Sequence, residues 1–237
     1  MSIQFFAPRG ADNQIVKLPS TLRRTVRWLP QIGDIFPDFN VETTAGPLNF
    51  WKWAEGHWVH LFSHPAANTP VCTTEIASIA SYSAAWKTAN VKNLALTGST
   101  IEEQEQWHDD IARLFNVDVD FPCAQDTGLR LSKLFGMMHE KEADTYPIRK
   151  SFLIDPSMRL RMIFEYPVFI GRRTDEILRV LQALQMRDRT GAATPSDWEE
   201  GDITLIPDDR PEAHVWRDFG ANSTRLSPYL RVVQPTD

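Results

Sequence analysis

From Trp51 onward, apolar runs of strand length trade places with segments whose apolar residues recur at helical spacing, which restricts the chain to sheet-with-helices architectures. Trp58 to Phe62 reads as a buried strand and Asn93 to Thr97 as a second; between them, Thr73 to Thr88 reads as a helix with Ile76, Ile79, Ala80 and Ser83 on one face. Ile101 to Phe115 is a polar helix with an edge of Ile111, Leu114 and Phe115. A short strand near Val117 to Phe121 follows, then a helix around Leu129 to Met137 carrying Leu131, Leu134 and Phe135. Lys150 to Ile154 and Leu160 to Tyr166 form a hairpin, for which Asp155-Pro156-Ser157-Met158 supplies the turn chemistry. Ile177, Leu178, Val180, Leu181 and Leu184 mark a last long helix, favoured at its N-terminus by Asp175 and Glu176. Strands alternating with helices and closing on a hairpin predict an α/β sandwich, a central mixed β-sheet flanked by helices.

A length of 237 residues permits one elaborated domain, or one domain and a smaller appendage. The formal net charge of −6 lacks the basic footprint of a nucleic-acid binder, and there is no polybasic run to seek an anionic membrane. No apolar stretch is long enough to cross a bilayer, and the N-terminus lacks the basic-then-apolar order of a secretory signal. The expectation is therefore a soluble protein with neither nucleic acid nor membrane as partner. Residues 1–30 carry Arg9, Lys17, Arg23, Arg24 and Arg27 against Asp12, a bias that superficially resembles an organelle presequence. Pro8, Gly10, Pro19 and Pro30 break any sustained amphipathic helix there, so an ordered arm is expected. The main domain is expected over 31–187. Beyond Gln185 the texture changes to Thr194-Pro195, Gly201-Asp202, Ile206-Pro207 and Arg210-Pro211, and 188–237 is expected to be a separate C-terminal module.

Chemistry concentrates in His64-Pro65-Ala66-Ala67-Asn68-Thr69-Pro70-Val71-Cys72-Thr73-Thr74-Glu75, which joins the first strand to the first long helix. Thr69 offers the side-chain oxygen of an N-cap, and Pro70 suits the first helical position, where its missing N–H costs nothing. Cys72 then lies in the first turn, where unpaired amides and the positive end of the helix dipole favour a thiolate, the nucleophilic form. The two cysteines, Cys72 and Cys123, have no C-x-x-C spacing, which argues against a disulfide framework, a paired-cysteine zinc site or a dithiol motif. A reducing compartment, the cytoplasm, fits them best. His57, His60, His64 and Cys72 invite a metal reading, but a ligating set needs four converging groups and the proline-rich loop is explained without one. No metal or other cofactor is expected.

Phe62-Ser63-His64-Pro65 through Pro70-Val71-Cys72-Thr73-Thr74-Glu75 resembles the active-site segment of the peroxiredoxins, in particular their one-cysteine subgroup. Further resemblance lies in Ile32-Gly33-Asp34 with Pro37-Asp38-Phe39, in Tyr146-Pro147-Ile148-Arg149 leading to Phe152-Leu153-Ile154-Asp155-Pro156, in Gly171-Arg172-Arg173, and in Thr194-Pro195-Ser196-Asp197-Trp198. The resemblance implies a thioredoxin-like fold whose C-terminal module is a small dimerisation domain. It also implies a thiol-dependent peroxidase that reduces hydrogen peroxide and organic hydroperoxides through a sulfenic acid on Cys72. On the family pattern Thr69 orients the peroxide, Pro65 shields the thiolate and Arg149 stabilises charge moving onto the leaving oxygen. Glu75 and Arg172 match supporting positions, an acid and an arginine that pairs with it and steadies Arg149. His64 stands where it could donate a hydrogen bond into the pocket or protonate the leaving group. The implied partners are a hydroperoxide, an external thiol reductant such as glutathione or thioredoxin, and a second copy of the chain in a homodimer or higher homo-oligomer.

The chain lacks the C-terminal Val-Cys-Pro segment of two-cysteine peroxiredoxins, and Cys123 in Phe121-Pro122-Cys123-Ala124 reads as buried and inert. Two departures stand out. Asn68 replaces an aromatic before the active-loop Thr. Glu55-Gly56-His57-Trp58-Val59 replaces the serine-bearing segment through which some animal members hydrolyse phospholipids, so no such activity is expected. Other uses of the same features are a thiol hydrolase or transferase with His64 as base, and a redox sensor or chaperone-like holdase.

Overall fold

The structure is a computed structural model that describes residues 29–219 and 222–234. Apart from its last two residues, the expected N-terminal arm lies outside them. The main body is a seven-stranded mixed sheet in the order β2-β1-β5-β4-β3-β6-β7. Its strands are β1 (Asn40–Thr43), β2 (Gly46–Asn49), β3 (Trp58–Ser63), β4 (Val91–Thr97), β5 (Cys123–Gln125), β6 (Arg149–Ile154) and β7 (Leu160–Tyr166). β3, β4 and β5 run parallel, and the β6–β7 hairpin adds antiparallel to β3. Around the sheet lie α1 (Phe50–Ala54), α2 (Pro70–Ser81), α3 (Ser83–Thr88), α4 (Ile101–Phe115), α5 (Arg130–Leu134) and α6 (Thr174–Thr190). This is the thioredoxin-like sandwich that the sequence resemblance implied.

Two apolar layers face the sheet. One gathers Phe62, Ile76, Ile79, Trp86, Trp107, Leu153, Ile177 and Leu181 together with Cys72 and Cys123. The other is built on Phe36, Phe39, Phe50, Phe135 and Phe152, whose rings meet at 4.7–6.4 Å between centroids. Every residue of β3 and β6 is buried, as expected of central strands covered on both faces.

Several local expectations are corrected. The helix expected over 73–88 is two helices, broken at Tyr82 (φ −91, ψ 16). The break turns Trp86 into the core, where its indole N–H donates to the Ile79 carbonyl at 2.9 Å. Ser83, expected on the buried face, instead donates to Asp120. The strand expected near 117–121 forms later, at Cys123–Gln125. Pro122 has no N–H for a ladder, so pairing begins beyond it, with Ala95 opposite Cys123. The helix expected around 129–137 is confined to five residues. Gly128 and Leu129 sit at positive φ before it, Asp126 accepts from the amides of Leu131 and Ser132, and Gly136 at φ +64 follows. α4 has the expected bounds and a Thr100/Glu103 capping box, but its buried face is Gln104, Trp107 and Ile111, and Leu114 is 72% exposed. The β1–β2 hairpin and α1 had no sequence signal of their own.

After α6, which Gly191 ends in the left-handed region at φ +70, the chain forms β8 (Thr204–Leu205), α7 (Glu212–Phe219), β9 (Ser223–Ser227) and β10 (Leu230–Val233). The three strands make a separate antiparallel sheet, β8-β10-β9. Met186 of α6 packs with Ala192 and Trp198.

Candidate active site

β3 delivers the site. Its last residue, Ser63, is held by hydrogen bonds with the Ile148 carbonyl and the Lys150 amide of the neighbouring β6 segment. The chain then leaves the sheet through His64 and Pro65. The amide of His64 donates to Leu96, that of Ala67 donates to the Ser99 hydroxyl, and Thr97 Oγ1 donates to the Pro65 carbonyl. Asn68 adopts φ +58, in the left-handed region that Asn tolerates far better than an aromatic does.

Thr69 stands at the N-cap of α2 with extended backbone and Pro70 is the first helical residue, as expected. The capping role of the Thr69 side chain is corrected: its hydroxyl donates to the Ala66 carbonyl at 2.9 Å and makes no hydrogen bond to the first turn. The proton of Thr69 is thereby committed to its own loop, leaving its oxygen lone pairs as the available function. The Thr69 carbonyl accepts from the Thr73 amide and hydroxyl, which fixes the turn that carries Cys72.

Cys72 is fully buried. Arg149, the first residue of β6 and 77 positions further along, donates from Nη1 to Sγ at 3.2 Å. The same nitrogen donates to Glu75 Oε2 at 2.5 Å, and Nε donates to the Val168 carbonyl at 2.8 Å, so the guanidinium is pinned on two sides. Glu75 lies one helical turn beyond Cys72 and is shared by both arginines. Its Oε1 accepts from the amide and Nε of Arg172, and its Oε2 accepts from Arg172 Nη2 at 3.0 Å as well as from Arg149. Burial alone would raise the Glu75 carboxyl, but the charge and hydrogen bonds of Arg172, joined by the charge of Arg149, hold it below the usual carboxylate value. Arg172 also donates from Nη1 to the Lys150 carbonyl and to Ser151 Oγ, and stacks over the Phe62 ring. Cys72, Arg149, Glu75 and Arg172 thus meet in one buried cluster, with Thr69 and Pro65 in the loop that enters it.

His64 is buried beside Trp107, and among the described residues neither ring nitrogen has a hydrogen-bond partner. Burial first, and the Arg172 charge second, lower its pKa to about 3. The ring is therefore neutral at physiological pH and carries one N–H donor and one lone pair. Burial thus disfavours the imidazolium form that transfer of a proton would need and leaves a neutral N–H able to donate a hydrogen bond. Two other histidines nearby in the chain have separate partners: His57, just before β3, bonds the Glu55 carbonyl, and His60 within it bonds Asn93 and Ser151. Cys123 is fully buried, with its sulfur 3.5 Å from His108 Nε2, and burial raises its thiol well above the ordinary value. Sequence reasoning missed the Val168 carbonyl and the polar residues behind Arg172. A backbone oxygen leaves no signature in a sequence, and a single Ser or His inside an apolar run reads as noise.

A buried cysteine at a helix start, held by an arginine that shares a carboxylate with a second arginine, in a thioredoxin-like sandwich, defines a thiol-based redox enzyme. The AhpC/TSA family profile matches residues 32–163, and that of the C-terminal domain of 1-Cys peroxiredoxin matches residues 183–217. Mitochondrial peroxiredoxin PRX1 of Saccharomyces cerevisiae is 36% identical over 202 residues, covering 82% of this chain and 77% of the yeast protein. A 1-Cys peroxiredoxin of Dictyostelium discoideum is 32% identical, covering 85% of this chain and 84% of its own. A solved structure of a yeast mitochondrial 1-Cys peroxiredoxin, described for its thiol resolving mechanism via glutathione/thioredoxin systems, superposes with a TM-score of 0.81 at 34% identity. That match covers 87% of this chain and 100% of the yeast chain. The chain belongs to the AhpC/TSA family, in its one-cysteine peroxiredoxin branch, and is a thiol-dependent peroxidase.

Proposed function

We propose that Cys72 is the peroxidatic nucleophile and that Thr69, Pro65 and Arg149 complete its machinery, with Glu75, Arg172 and His64 in support. The observation that carries this reading is the 3.2 Å hydrogen bond from Arg149 Nη1 to Cys72 Sγ inside a closed site. The sulfur anion attacks one oxygen of the hydroperoxide; a sulfur–oxygen bond forms as the O–O bond breaks. The electron pair of that bond leaves on the second oxygen, which takes a proton and departs as water or an alcohol. Cys72 is left as a sulfenic acid. Arg149 is placed to meet charge building on the departing oxygen, and such preorganised positive charge is often the largest catalytic term. The Thr69 oxygen is free to accept the peroxide O–H and set its direction of approach. Pro65 contributes no N–H and keeps water from the sulfur. The neutral His64 ring offers its N–H to the oxygens of the bound peroxide.

Two external thiols close the cycle: one condenses with the sulfenic acid and releases water, and the second displaces it as a disulfide. Glutathione or thioredoxin is the reductant class we assign, in keeping with the description of the yeast structure. Residues 188–237 are read as a dimerisation domain, the protein as a homodimer or higher homo-oligomer, and a reducing compartment, the cytoplasm, as its setting. Stopped-flow mixing of the fully reduced protein with hydrogen peroxide, with sulfenic-acid trapping, tests the proposal. A fast phase ending in sulfenate on Cys72 is expected. A rate no faster than that of a free thiol overturns it, and a Cys72–Cys123 disulfide overturns the one-cysteine cycle.

A further inference from the structure

Three polar side chains interrupt the apolar face of the sheet behind the active site. His60 of β3, Asn93 of β4 and Ser151 of β6 come from adjacent strands, with His60 paired in register to Asn93. All three are buried. The His60 ring lies flat against Phe62 and Trp86, at 4.7 and 5.5 Å between centroids, so an apolar ring would serve the packing equally well. What the imidazole adds is its two nitrogens. Burying such groups is unfavourable unless each finds a partner, and here each does. His60 Nδ1 meets Asn93 Oδ1 at 2.9 Å, and Nε2 meets Ser151 Oγ at 3.1 Å. Ser151 Oγ in turn accepts from Arg172 Nη1 at 3.1 Å.

The chain has one consistent direction. Burial, with the nearby Arg172 charge, keeps His60 neutral, its pKa lowered to about 3, so it carries a single N–H. Asn93 Oδ1 is an acceptor and takes that proton at Nδ1. Nε2 is then the lone pair that receives the Ser151 hydroxyl proton, which turns a serine lone pair toward the guanidinium of Arg172. Arg172 also gives Nη1 to the Lys150 carbonyl and donates from Nε and Nη2 to Glu75, whose Oε2 also receives Arg149, whose Nη1 reaches Cys72.

We propose that His60, Ser151 and Asn93 are positioning residues for the peroxidase reaction: they orient Arg172 and, through Glu75, hold Arg149 against Cys72. The inference rests on the assignment of Cys72 and Arg149 above. Without the chain Arg172 Nη1 loses its serine acceptor and keeps only the Lys150 carbonyl at 3.3 Å, so the guanidinium is held less firmly in its alignment with the shared carboxylate. The charged or titratable groups set around Cys72 are Arg149, Glu75 and Arg172, with His64 neutral, so a change in this geometry is read at the sulfur.

The test compares His60→Phe, His60→Gln, Ser151→Ala, Ser151→Thr and the His60→Phe/Ser151→Ala double variant in the full chain. Three quantities are read: the rate constant with hydrogen peroxide, the pH midpoint of Cys72 alkylation by iodoacetamide, and the urea unfolding midpoint. His60→Phe keeps the stacking and removes both nitrogens, whereas Gln can still accept from Ser151 and donate to Asn93. His60→Phe and Ser151→Ala are each expected to slow the peroxide step by about tenfold, the worth of one well-made hydrogen bond, and to move the alkylation midpoint upward. The double variant is expected to be no worse than either single one, because both break the same chain. His60→Gln and Ser151→Thr are expected to behave like the parent. Unchanged rate and alkylation midpoint alongside a lowered unfolding midpoint would reduce the three residues to structural ones and overturn the proposal, as would a His60→Gln variant as slow as His60→Phe. Should His60→Phe fail to fold, Ser151→Ala against Ser151→Thr decides alone. A parent protein inert to peroxide refutes the function assigned above, while the alkylation profile still reports on the chain.

Discussion

Replacing Glu75 with Gln probes the centre of the site. The carboxylate is almost wholly buried and receives four N–H groups: the Arg172 amide and Nε on Oε1, and Arg172 Nη2 and Arg149 Nη1 on Oε2. Gln presents one carbonyl oxygen, which serves one of these pairs. Its amide N–H groups then face the other pair of donors, and the two guanidinium charges lose their shared counter-ion. Two charge-assisted hydrogen bonds are lost at about 1.5–3 kcal/mol each, in line with the ~3–5 kcal/mol typical of breaking a buried ion pair from one side. The variant is therefore expected to lose about 3–5 kcal/mol of unfolding free energy at pH 7 by the same two estimates. It should also react more slowly with peroxide, since Arg149 is no longer held. The pH dependence has a definite sign. Burial opposes ionisation of Glu75, but the charge and hydrogen bonds of Arg172 and the charge of Arg149 prevail and depress its folded pKa. Its contribution is therefore present above the ordinary Glu value, about 4.3, and is lost as pH falls through the depressed folded value. Urea unfolding between neutral and acid pH measures this: the parent should weaken across that window and Glu75→Gln should show a flatter profile. A variant within about 1 kcal/mol of the parent at pH 7, well short of a broken buried pair, refutes the argument. So does one that keeps the parental acid dependence.

Arg149→Gln removes the donor to Cys72 Sγ and is expected to slow the peroxide step by about 10²–10³-fold, the range for loss of one preorganised donor; single-turnover kinetics checks it. Cys123→Ala should leave the first-turnover rate unchanged, because that thiol is buried and held protonated; stopped-flow fluorescence decides. Thr100→Ala breaks the capping box of α4 at a cost of about 1 kcal/mol, seen by urea unfolding, with the peroxide rate of the folded protein unaltered. Phe152→Ala opens a cavity among Phe36, Phe135 and their neighbours and should destabilise by about 3–5 kcal/mol, again read by urea unfolding.

The fold was legible where a local period carried it. β3, the β6–β7 hairpin and α6 follow directly from apolar spacing and turn chemistry, and α4 has the expected bounds though not the expected buried face. Expectations failed where one residue outweighed the period, as Pro122 moved a strand and Gly128 and Gly136 bracket the short α5, and the break at Tyr82 carries no signal in the residue types around it. The β1–β2 hairpin has so few buried positions that alternation could not reveal it.

The site divides in the same way. The loop from His64 to Cys72 is contiguous, so its roles could be read from residue types in order, and even Asn68 at positive φ is a local matter. By itself the sequence determined the alternating architecture, the reactive cysteine at a helix start and the family pattern that singled out Arg149, Glu75 and Arg172. Only the tertiary structure decided that Arg149 meets Cys72 across 77 positions, that Glu75 binds both arginines, that the Thr69 hydroxyl turns to Ala66 rather than capping, and that His60 points at Ser151 and Asn93. The physical reason is that spacing encodes which face of its own element a residue occupies. Which donor meets which acceptor across strands depends on sheet register and burial, and both arise only when the chain closes on itself.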